Sequence, residues 1–158
     1  SANFGSPWWI YAECDQSAAT QNLRDHSLMG VLERTEAGWL EHFVDRKYGE
    51  VYAGLQPDGR PGRDWPESST SKVWDWKNGF HSCEHALVMY IHGLALEGKP
   101  VSLYFAAVDP RHFQATPYVF TGRETGRERL GTFSLGGRQL TKLRLDFRLG
   151  EGGPSDRP

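Results

Sequence analysis

His81, Glu84 and His85 stand within five residues of one predicted helix, and Trp76 and Lys77 lie in the loop just before it. After a turn at Asn78 and Gly79, apolar residues at Leu87, Val88, Ile91, Leu94 and Ala95 recur with helical spacing until Gly98 and Pro100 end the run. At about 100° per residue, His81, His85 and His92 share nearly one bearing, with Glu84 beside them near the middle of the apolar stripe. A carboxylate placed there needs a partner. A histidine near its ordinary pKa of about 6.5 both takes and gives a proton around neutrality. An aromatic ring beside it offers a platform for the C–H face of a sugar, whose hydroxyls bond to polar neighbours. Proton transfer on a carbohydrate is the chemistry this stretch suits.

The remaining elements have to position that helix. Pro7 can open a first helix with Ser6 as its cap, running from Trp8 to about Thr20, and Trp9 and Glu13, four apart, project from one face as a second wall. A second helix is expected from about Asp25 to Val44, burying Leu28, Val31, Leu32, Trp39, Leu40, Phe43 and Val44, although Gly30 and Gly38 lower its propensity. His26 and His42 have no partner pattern and read as surface residues. Residues 48–55 alternate in a strand-like way into the turn QPDGRPG, which predicts a short hairpin or extended arm, and residues 60–72 form a polar loop leading to WDWK. From Val101 onward the runs SLYFAAV, TPYVFTG, LGTFSL and KLRLDFRL predict a small antiparallel sheet, with a disordered tail over residues 150–158.

Three strings carry a family resemblance: PWWIYAE at residues 7–13, ERTEAGWLEHFVDRKYGEVYAGLQPDGR at residues 33–60, and WDWKNGFH at residues 74–81. In order and spacing they resemble the C-terminal part of the N-acylglucosamine 2-epimerase superfamily, which includes cellobiose 2-epimerases and mannose isomerases. The resemblance implies a mainly α fold: residues 7–100 as part of an (α/α)6 toroid, after a lead segment at 1–6 and before an antiparallel β extension at 101–149. Trp9 matches the family's stacking tryptophan, Glu13 its sugar-contacting acid, Trp76 the second aromatic wall and His81 a catalytic histidine, with Lys77 beside the substrate and Glu84 and His85 tuning or orienting the site. The implied function is a sugar epimerase or isomerase that moves a proton through a cis-enediolate on a hexose or disaccharide, with no metal and no other cofactor. This chain departs from the family in carrying Glu84 where an arginine is usual. It also lacks the preceding helices that bear the other catalytic histidine, so the expected partners are a carbohydrate and a second chain or a missing N-terminal half.

Two further readings compete for the same residues. One is a carbohydrate-binding or assembly module that keeps the aromatic pocket without the chemistry. The other is metallic, because His81-Ser82-Cys83-Glu84-His85 fits the HxxEH pattern of inverted zincins, with zinc on the two histidines and the glutamate as base. Composition narrows the field. The 158 residues suit one domain, the formal charge of −2 leaves no basic footprint for nucleic acid, and no apolar stretch approaches the roughly 20 residues needed to cross a bilayer. Cys14 and Cys83 are too few for a disulfide framework and belong to no CxxC pair, which, with no visible signal peptide, suggests a cytoplasmic protein with reduced thiols. The lead SANFGS enters a tryptophan-rich helix without a methionine, which reads as a cut end.

Overall fold

The computed structural model describes residues 6–61, 72–73 and 77–150, in two compact units that divide the chain between Tyr90 and Ile91. In the first unit, strand β1 (Ser6–Pro7) pairs antiparallel with β2 (Gly54–Leu55) and leads directly into helix α1 (Trp8–Asp25). The first N–H groups of a helix have no intrahelical partner. Here the Trp8 N–H donates to the Ala53 carbonyl at 3.0 Å, and Pro7, extended at φ −77°, is itself the capping residue where Ser6 was expected.

Helix α1 ends at Asp25, beyond the expected Thr20, because His26 adopts a left-handed conformation (φ 55°) and its N–H donates to the Asn22 carbonyl. Asn22 is fully buried, and its Oδ1 accepts the Leu28 N–H at 2.8 Å, holding the turn into α2 (Met29–Gly38). Asn22→Ala leaves that N–H unanswered and is expected to cost about 1–3 kcal/mol, read as a lower urea midpoint with an unchanged slope.

The helix expected from 25 to 44 is therefore divided, with its last turn, Trp39–Phe43, wound as a π-helix. Trp39 and Phe43, four apart, both turn inward, their rings stacked at 5.1 Å. With Trp8, Ala12, Val51, Ala53 and Leu55 they make the core of this unit. The expected hairpin is reduced to isolated bridges, Val44 with Val51 and Leu55 with Pro61, beside the two residues of β2.

Helix α3 (Phe80–Leu96) begins in the first unit and ends in the second. The second unit holds β3 (Val101–Ala107), β4 (Gly122–Leu135) and β5 (Arg138–Leu149), an antiparallel sheet in the order β3-β5-β4. Along β5 the residues Thr141, Leu143, Leu145 and Phe147 are buried in strict alternation, and Phe105 and Phe113 pack against them. Gly136 and Gly137, at φ 56° and 75°, supply the two left-handed positions of the tight β4–β5 turn.

Of the four strand-like runs expected here, TPYVFTG is a turn, with Tyr118 left-handed at φ 59° and the Phe120 N–H on the Pro117 carbonyl. LGTFSL is the end of the longer β4. The expected mainly α toroid is not what forms: among the described residues three helices stand with a three-stranded antiparallel sheet, and about 31% are in strands. The period-2 burial of the C-terminal third drives this, and three helices cannot supply the paired inner and outer layers of a toroid. Of the tail expected to be disordered, residues 151–158 lie outside the described residues. Among the described residues no helix is long and apolar enough to cross a membrane.

Candidate functional site

Helices α1 and α3 each contribute paired polar groups. His81, in the first turn of α3, places Nδ1 2.8 Å from Oε1 of Glu13 on α1; the histidine side chain is 31% exposed and the glutamate 48%. The edge-on ring of Trp8 lies 6.3 Å from the imidazole and that of Phe80 5.2 Å away. Glu84 follows one turn later, partly buried, and offers a carboxylate oxygen within 4.8 Å of ligand atoms on both Glu13 and His81.

His85 turns inward instead. Its Nε2 is 2.9 Å from Oδ2 of Asp15, both side chains are buried, and the indole of Trp39 stacks on the imidazole at 4.3 Å. The two histidines of HSCEH are thus held by two different carboxylates and do not converge on one point, as a zincin-type site requires.

Below this surface lies a second polar group. Lys77, expected to face substrate, is fully buried; its Nζ donates to Oε1 of Glu50 at 2.7 Å and sits 5.1 Å over the Trp8 ring. Ser82 donates its hydroxyl to the same Glu50 oxygen at 2.7 Å. Glu50 holds this position from a left-handed backbone, φ 62°, next to Gly49 at φ 75°, a conformation that costs a side-chain-bearing residue and persists only where its surroundings impose it. A groove of about 310 Å³ opens nearby, lined among others by Trp39, Glu50, Ser82, His85 and Met89.

Burial alone would raise the Glu50 pKa, but the Lys77 ammonium and the Ser82 hydroxyl outweigh it and hold the carboxyl below its ordinary 4.5. Asp45 is held low in the same way, chiefly by the Lys72 ammonium and also by the N–H groups of Lys47 and Tyr48. A depressed folded-state pKa contributes stability that is fully present above the unfolded value and is lost as pH falls through the folded one. The first unit is therefore expected to weaken as pH drops below the ordinary carboxylate range. Urea midpoints measured down through that range should fall less steeply in Glu50→Gln than in the parent, and parallel curves would exclude Glu50 from the effect.

Of the residues expected at the site, the structure brings Glu13, His81 and Glu84 together, buries His85 and Lys77 beside other partners, and leaves Trp9 about half exposed. Among the described residues the tryptophan against His81 is Trp8. Trp76 lies outside the described residues. The sequence reading missed Trp8, Asp15, Trp39, Glu50 and Ser82. Asp15 had a legible signal: Ala12, Asp15, Ala19 and Asn22 follow helical spacing on a buried face, and a carboxylate there requires a partner. Glu50 had none, because its partners stand 27 and 32 residues further along the chain. Compared with protein-family models, with curated proteins and with solved structures, this chain matches none.

Proposed function

We propose that the first unit carries a proton-transfer site acting on the carbon beside a sugar carbonyl, the chemistry of the epimerases and isomerases that residues 7–96 resemble. The observation that carries this reading is the His81–Glu13 contact, 2.8 Å long, with both side chains partly exposed to solvent. A carboxylate on Nδ1 selects the tautomer with the proton there, which leaves Nε2 as a lone-pair base. That nitrogen takes the proton from the carbon next to the carbonyl, the C–H electrons form the cis-enediolate, the hydroxyl proton passes from one enediolate oxygen to the other, and the imidazolium returns its proton to the neighbouring carbon. No electron leaves the substrate, so the step needs no oxidant.

One base on one face moves a proton between C1 and C2, whereas inversion at C2 needs a second acid on the opposite face. His85, the other histidine of the motif, is buried against Asp15. We therefore assign aldose–ketose isomerisation ahead of epimerisation. The test is incubation with candidate aldoses in heavy water, where deuterium should appear on the carbon beside the carbonyl. Sugar binding without any deuterium incorporation would replace this reading with a carbohydrate-binding module.

A further inference from the structure

We infer that Glu13, His81 and Glu84 form a binding site for a divalent cation of the zinc type. The three side chains come together from two helices, Glu13 from α1 and the other two from successive turns of α3, with their ligand atoms within 4.8 Å of one another. Metal–ligand distances of about 2.0–2.2 Å place neighbouring donors of a tetrahedral ion about 3.4 Å apart. The Glu13–His81 pair is already closer than that, at 2.8 Å. Glu84 completes the shell by bringing its oxygen nearer from within the 4.8 Å span of the three ligand atoms.

The donor set also selects the ion. One imidazole nitrogen with two carboxylate oxygens suits borderline divalent ions, whereas calcium and magnesium favour all-oxygen shells and copper(I) favours sulfur. Two carboxylates balance the dication. Three protein ligands leave at least one coordination position open, as in sites where zinc holds a water or a substrate oxygen. This set differs from the HxxEH reading, because His85 is committed to Asp15 and Glu84 acts as a ligand instead of a base. The site stands whether or not His81 moves a proton. With an ion on Nδ1 the remaining nitrogen carries the hydrogen and is no longer a base, so cation binding and proton transfer are alternative states of one histidine.

Equilibrium dialysis of the full chain against zinc chloride, followed by elemental analysis, tests the site directly. We expect one ion per chain, with affinity reduced at least tenfold in Glu84→Gln and in His81→Ala and unchanged in Glu97→Gln. Cys83→Ser controls for the exposed thiol on the same helix. Urea midpoints equal to the parent's establish that Glu84→Gln is folded. Parent-like zinc affinity in Glu84→Gln, loss of zinc only in Cys83→Ser, or no ion bound by the parent at micromolar zinc would each overturn the site. None of these outcomes bears on deuterium exchange in zinc-free buffer, which is read separately.

Discussion

Glu50→Gln is expected to destabilise the first unit by about 3–5 kcal/mol, the range for removing one partner of a buried ion pair. The two partners are not equivalent. The Lys77 side chain is 0% exposed and that of Glu50 28%, so losing the carboxylate strands an ammonium in the interior, with the Trp8 ring 5.1 Å away as its remaining compensation. Losing the ammonium leaves Glu50 with the Ser82 hydroxyl and some water. Lys77→Met, which keeps the apolar stem, should therefore cost less, about 1.5–3 kcal/mol, the worth of a hydrogen bond to a charged group. Glutamine preserves the shape of Glu50 and the same left-handed backbone, so its cost reports the charge. The double variant should be more stable than Glu50→Gln alone, because it removes the stranded charge. Urea denaturation of the four proteins completes the cycle, and additive costs, or a larger cost for Lys77→Met, would show that the pair does not act as described.

His81→Ala is expected to reduce deuterium incorporation into a sugar substrate by about 10²–10⁴-fold, the range for a positioned general base. Glu13→Gln should lower it less, since an amide can still meet Nδ1 but no longer favours its protonated tautomer, and the exchange rate should then change with pH differently from the parent's. Asp15→Asn separates the two histidines: it alters the partner of His85 while leaving the His81–Glu13 contact in place. Near-parental exchange in Asp15→Asn beside strong loss in His81→Ala supports the single-base reading. Parental exchange in His81→Ala refutes it, and equal losses in both variants would make His85 a second participant.

Much of the architecture around these residues was legible. Helix α3 and the tryptophan-rich start of α1 follow from apolar spacing and from turn residues at their ends, and the alternation of Leu143, Leu145 and Phe147 in KLRLDFRL reads as a half-buried strand. The toroid inferred from the resemblance was wrong, since a likeness of short strings does not constrain how the later strands pair. The helix read from 25 to 44 failed at both ends for local reasons. The His26 and Asn22 turn delays its start, and its last turn, Trp39–Phe43, is wound as a π-helix although Trp39 and Phe43 are buried as helical spacing implies.

Within the site, His81, Glu84 and Glu13 were identifiable from type and spacing, because each is a titratable residue on a predicted helix face. Which tryptophan met them was not. Trp8 and Trp9 are one residue apart and point about 100° from each other; Ala53, just before β2, accepts the Trp8 N–H and helps fix how α1 begins, and Trp8 then joins the core with Phe43 and Trp39. The division of labour between the histidines was equally hidden. Residue types and helical periods specified which groups could carry protons or bind a cation. Only the tertiary structure decided that His81 meets Glu13, that His85 meets Asp15 and that Lys77 meets Glu50, because pairings across 27 to 70 residues depend on how helices and turns pack, and no local signal records that.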